Sequence, residues 1–297
     1  MTNAPPSSGD GRQAQILETG YRTYHGPRTG TIGAMRSVVR QGIRSTLGLG
    51  RPARHKIVPV ATIVVAFLPA VVFVGLTFLL PDAVADEVQA DYAGYYGIIT
   101  VAMILFAAFA TPEALTADRR SGLLALYLST PITRMSYLAA RLIAVMSVLL
   151  IVTIGPLMLV LIGYTFQGLG PDGIQDWLLV FFRIIASGLL VSAVYTSVAF
   201  GIASFTDRRA IASTVIVMVL LLSGSATAIA VNAADLSENL FLLNLIVVPF
   251  EAVFRIFGDP PQESGLATGA VYGACAAWIV AGAGLAAYRY RTLRLDA

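Results

Sequence analysis

The sequence predicts an all-α membrane protein: six transmembrane helices, an N-terminal amphipathic helix lying in the interface, and a helical hairpin before the last span. Three observations predict it. Of 297 residues, 57% are hydrophobic and 12% charged, with a mean hydropathy of +0.76. A soluble domain carries about 25% charged residues, and half that leaves too few to cover a water-facing surface. Six apolar stretches approach or exceed the roughly 20 residues a helix needs to cross a hydrocarbon core of about 30 Å. The basic residues, finally, gather on alternate connections. This composition argues against a soluble enzyme and a disordered chain. The lone Cys275 cannot form an intramolecular disulfide, which argues against a stapled secreted scaffold.

Residues 1–28 are rich in Pro, Ser, Gly and Thr without an apolar period, and read as a disordered cytosolic tail. They lack the apolar core and cleavage site of a signal peptide. Residues 29–56 form an interfacial and connecting segment. There Ile32, Met35, Val39, Ile43 and Leu47 fall within an arc of about 120° on a helix, beside a stripe of Arg36, Arg40 and Arg44. Such a helix suits a membrane interface, with its cations near lipid phosphates. Packing on a partner protein suits it too, and the two are compatible.

Residues 57–288 hold the spans, at Ile57–Leu80, Gly94–Ala110, Tyr137–Phe166, Ile174–Phe205, Ala210–Val231 and Ala267–Tyr288. Gly155-Pro156 predicts a kink in the third, because proline removes a backbone donor. Eighteen of the twenty Lys and Arg residues lie before span one, between two and three, between four and five, or after six, counting Arg141 at the opening of span three. Eleven of the seventeen carboxylates lie on the other side. The positive-inside rule then places both termini, including the tail 289–297, in the cytosol. Leu240–Phe257, interrupted by Pro249, reads as a hairpin dipping into the outer leaflet, since a full crossing would put Arg289, Arg291 and Arg294 outside.

Catalytic sets are missing. There is no HExxH, GxSxG or GxxxxGK[ST], no Cys/His set for zinc, and no carboxylate cluster in the spans for a coupled ion. Nothing in the pattern suggests nucleic-acid binding. Arg183, within span four, shares a face with Asp176. It either snorkels outward to an outer-loop carboxylate or lines the route of an anionic substrate. Tyr195 and Thr196 in span four, and Ser223 and Thr227 in span five, serve either close helix packing or the lining of such a route.

The connection after span two is the most informative. Thr111 can cap a new helix with Pro112 in its first turn and Glu113 at the positive dipole end. Thr130-Pro131 would stop that helix. Between them runs a short helix, charged early and apolar almost all round from Leu123 to Leu128, which needs protein cover beyond the membrane face.

Here the sequence resembles the permeases of ABC exporters of the second type. The residues that carry the resemblance are Asp118-Arg119-Arg120, Gly122, Leu123-Leu124 and Thr130-Pro131, with Tyr137 and Arg141 opening the next span. Tyr24-His25-Gly26-Pro27-Arg28 and Leu47-Gly48-Leu49-Gly50-Arg51 look similar to a subset of actinobacterial members. The resemblance implies a permease subunit in a bacterial inner membrane, paired with a second permease copy. Each copy would rest on a separate ABC ATPase subunit that holds the ATP and magnesium; this chain would carry no cofactor and no ATPase site. The helix Glu113–Leu128 would be the coupling helix in a groove of that ATPase, and Asp207-Arg208-Arg209 a second, smaller contact. An ATP-independent transporter and a non-transporting membrane subunit remain the rival classes.

Overall fold

The computed structural model describes residues 30–50, 56–81, 84, 88–120, 127, 131–263 and 265–292. The N-terminal tail, the end of the C-terminal tail, and Gly122, Leu123 and Thr130 of the proposed coupling loop lie outside the described residues. Among those described, the secondary structure is helical. In chain order the elements are α1 (Gly30–Thr46), α2 (Ile57–Leu79), α3 (Tyr95–Ile98), α4 (Thr100–Arg120), α5 (Arg134–Gln167), α6 (Gly173–Ala203), α7 (Arg209–Asn232), a 3₁₀ turn (Glu238–Leu243), α8 (Val247–Phe257) and α9 (Thr268–Thr292). We call the end of the bundle that carries Lys56, Arg119, Arg208 and Arg291 its basic end, and the opposite one its acidic end.

Five of these helices, α2, α5, α6, α7 and α9, are long and apolar enough to cross a membrane. The second predicted span departs from its expected bounds. Gly94–Ala110 is divided: α3 ends at Ile98, and α4 begins at Thr100 with a shorter apolar stretch, Thr100–Thr116. No new helix starts at Thr111. α4 runs straight through Thr111-Pro112 to Arg120. Packing overrides the local stop signal, since Thr111, Ala114 and Leu115 are all buried. Pro112 removes only its own N–H from the ladder, and its carbonyl accepts from Thr116 Oγ1 at 2.8 Å.

α5 is the central post. It packs against α1, α2, α4, α6 and α9, and buries residues along nearly its whole length. Thr133 and Ser136 close a reciprocal capping box at its start. The helix continues across Gly155-Pro156, and α2 likewise continues across Pro69. Gly155 lets α2 approach: a Cβ there would stand 2.5 Å from the tip of the Phe67 ring. α6 and α9 come closer still. A Cβ on Gly282 would collide with the backbone oxygen of Ser197, and one on Gly201 would stand 2.9 Å from that of Gly282. Small residues permit this backbone approach, and dispersion across it holds the pair together.

α1 lays Val38, Gly42 and Thr46 inward against α5, while Arg36, Arg40 and Arg44 are exposed. The hairpin before α9 breaks at Asn244 rather than at Pro249. Pro249 sits in the first turn of α8, where its missing donor costs nothing. Asn244 Oδ1 accepts from the backbone N–H groups of Ile246 and Val247 at 2.9 and 3.0 Å, capping α8.

Candidate functional site

The residues that carried the sequence argument converge at the basic end. Asp118 and Arg119 are consecutive on α4, about 100° apart around the helix, and they reach different neighbours. The Asp118 carboxylate is buried and accepts from the Arg141 guanidinium and, at 2.5 Å, from the Tyr137 hydroxyl, both on α5. Arg141 in turn lies over the Tyr127 and Tyr137 rings, 5.8 and 5.6 Å from their centroids. Arg119 points the other way. It pairs with Asp207 at 3.0 Å, donates to the Ser204 carbonyl at 3.1 Å and lies 5.7 Å from the centre of the Tyr290 ring on α9.

One turn earlier on α4, Glu113 pairs with Arg209 at 2.6 Å. The turn Asp207-Arg208-Arg209 between α6 and α7 is therefore tied twice to α4, while Arg208 itself is exposed at the N-cap of α7. Arg134, at the start of α5, donates to the carbonyls of Tyr290 and Arg291 at 3.4 Å, placing a cation at the negative end of α9. Pro131 is exposed two residues before the α5 cap. Four helices and the α6–α7 turn are thus joined around the segment that leads into residues 121–130. Tyr290, Ser204 and Tyr127 were missed by the sequence reading. Only the tyrosines carried a signal, as aromatic residues beside arginine-rich helix ends.

The residues expected along a substrate route are scattered. Arg183 lies at the acidic end of the bundle beside Gly258 and acts electrostatically on Asp259, a carboxylate just after α8. Tyr195 and Thr196 are buried on α6, with hydroxyls that have no hydrogen-bond partner among the described residues. Ser223 and Thr227 hold the hairpin to α7. Ser223 Oγ accepts from the Leu245 N–H at 3.2 Å, and Thr227 Oγ1 from Asn244 Nδ2 at 2.9 Å. Glu251 and Arg255 form an i,i+4 ion pair whose side chains are both largely buried. Arg255 also donates to the Leu266 carbonyl at 2.8 Å, and Glu251 Oε1 accepts from the Glu263 N–H at 2.9 Å, so the pair clasps the loop that follows α8. Glu263 has its carboxyl pushed above its usual value, first by burial and then by Glu251 and Glu238. At the basic end a cavity of about 530 Å³ opens between the first turn of α2, α4 and the first ten residues of α7.

The model of the ABC-2 family transporter protein matches residues 30–293. The chain belongs to the ABC-2 transporter family. Among curated proteins no relative matches it. Membership makes this ABC-2 chain a multi-pass membrane component of an ABC transporter, a family whose permeases work with an ABC ATPase and are not normally catalytic themselves.

Proposed function

We propose that this ABC-2 chain is the permease subunit of an ATP-driven exporter in a bacterial inner membrane. In this reading α4 supplies the remaining span, giving six, and the basic end faces the cytosol. Two permease copies pair, and each rests on a separate ATPase subunit that binds ATP and magnesium. ATP-driven closure of the ATPase pair moves the segment after α4 and swings the spans between inward- and outward-open states. Arg36, Arg40 and Arg44 lie at the lipid interface. Arg183, Tyr195 and Thr196 remain candidate lining of the substrate's route, and Ser223 and Thr227 would move with it through the hairpin they hold.

The observation that supports this most is the double tie of the α6–α7 turn to α4. It ties Glu113 and Arg119, from the first expected ATPase contact, to Arg209 and Asp207, from the second. A force applied at the loop reaches α5 through Asp118 and α9 through Arg119. Because Arg119 and Asp118 already have partners within the chain, the apolar residues of the loop are left as the ATPase-facing surface.

The test is assembly. Expressed alone, the chain should neither bind nor hydrolyse ATP; with its ATPase it should form a complex of two permease and two ATPase copies by native mass. Leu123→Asp should lose the ATPase during purification at unchanged membrane insertion. A stable complex that contains no ATPase would sink the reading.

A further inference from the structure

We infer that the groove between α2, α4 and α7 is a binding site for one anionic glycerophospholipid of the leaflet at the basic end. The groove is lined by Val58, Phe109, Val217 and Met218 along its length, with Arg209 at its mouth and Ser213 one turn deeper. From Arg209 to Met218 it follows α7 for nine residues, about 13–14 Å at 1.5 Å each. One leaflet of a bilayer core is about 15 Å thick. The cavity is as deep as one acyl chain's layer, and below its mouth the wall is apolar except at Ser213 and Thr214.

The mouth carries the opposite character. Lys56 and Arg208 stand at the N-terminal ends of α2 and α7, close in sequence to the lining residues Val58 and Arg209; both are exposed, and neither has an ion-pair partner among the described residues. Arg209, 38% exposed at its side chain, lines the opening while its Nη1 bonds Glu113. A guanidinium has five donors, so a single carboxylate leaves others for a second oxyanion. The acids nearby are engaged: Glu113 with Arg209, and Asp207 with Arg119. The mouth is net cationic, matched to a phosphodiester at headgroup depth.

Ser213 supplies the independent sign of a ligand. It is 7% exposed, and its Oγ has no hydrogen-bond partner among the described residues. On the same helix, Ser225 and Thr227 bond back to a carbonyl three or four residues earlier, which Ser213 does not. A buried hydroxyl left unpaired is costly. In the groove it lies about 6 Å along the helix from Arg209, the level of an ester carbonyl beneath a bound phosphate. A glycerophospholipid therefore meets all three parts: its phosphate the cations, its ester carbonyl Ser213, its chain the apolar wall.

The inference rests on the orientation proposed above only for which leaflet supplies the lipid. Purified full chain is exchanged into neutral detergent, and retention of phosphatidylglycerol and of phosphatidylcholine with identical chains is measured by native mass spectrometry. The wild type should hold one phosphatidylglycerol at least tenfold more tightly than phosphatidylcholine. Lys56→Ala with Arg208→Ala should weaken phosphatidylglycerol by about fivefold per cation, roughly 25-fold together, and leave phosphatidylcholine unchanged. Ser213→Ala should weaken both lipids alike. Met218→Trp, at a half-exposed position, should block both without lowering the thermal midpoint. Arg36→Ala with Arg40→Ala should change neither. Equal retention of the two lipids by the wild type, unchanged phosphatidylglycerol binding in the Lys56/Arg208 variant, or a loss that follows Arg36 and Arg40 instead would overturn the site. An inverted orientation would show in surface labelling while these affinities stayed as stated.

Discussion

Asp118 and Arg119 are neighbours in sequence but differ in what surrounds their partners. Asp118 meets an Arg141 side chain that is only 3% exposed, whereas Arg119 meets Asp207, whose side chain is 66% exposed. Removing one member of a buried pair strands the other charge in low dielectric, at a cost of about 3–5 kcal/mol, while a pair with one wet partner contributes about 1 kcal/mol or less. Asp118→Ala should therefore destabilise the purified protein far more than Asp207→Ala. The double variant Asp118→Ala/Arg141→Ala should be no worse than Asp118→Ala alone, since it removes the stranded cation. Equal losses for Asp118→Ala and Asp207→Ala in a thermal melt would refute this ordering. At the acidic end, Glu263 binds its proton more firmly in the folded chain than in the unfolded one. Its contribution to stability is full below its ordinary value near 4.5 and is lost as pH rises through the raised one. Glu263→Gln should melt higher than the wild type at pH 7 and equal it near pH 4; the same gap at both pH values would exclude the mechanism. The charge pattern made these residues visible as a group. It could not tell which partner each arginine would take, because Asp207 and Tyr290 are distant in sequence from Arg119.

Helix contacts are governed by what can yield at the crossing. At Gly155 the obstacle to a side chain is the tip of the Phe67 ring, which can rotate away; at Gly282 it is the backbone of Ser197, which cannot. Overpacking typically costs about 1–3 kcal/mol, and the rigid crossing belongs at the upper end. Gly282→Ala should lower the thermal midpoint clearly more than Gly155→Ala. A reversed order would mean that α6 and α9 separate easily. The long apolar elements were legible in the sequence to within a few residues, because hydropathy and length suffice to mark them. Thr111-Pro112 was not. Its capping chemistry is genuine but local, and the burial of Thr111, Ala114 and Leu115 outweighs it. The break at Asn244 escaped notice for a similar reason: Pro249 is the stronger signal along the chain, but the Asn244 amide makes three hydrogen bonds that only the folded hairpin assembles.

For the whole molecule, the division of eighteen basic residues against eleven carboxylates predicts the orientation. In a background lacking Cys275, single cysteines at Asp91, Asp172 and Glu263 should react with an impermeant reagent on intact cells. Those at Ser121 and Thr292 should react only after lysis. Labelling of Thr292 from outside would make Leu240–Phe257 a full crossing and reverse the last span. The bundle also has a mechanical property set by two prolines. In an α-helix each N–H forms a rung to the carbonyl four residues earlier, and proline has none to give. Pro69 near the middle of α2 and Pro156 in α5 each leave one rung out. Phe67 rests against Gly155, so the two gaps sit within a turn of the same contact. Two adjoining helices can therefore flex together at one level without breaking a backbone bond, where α2 leans on its central post.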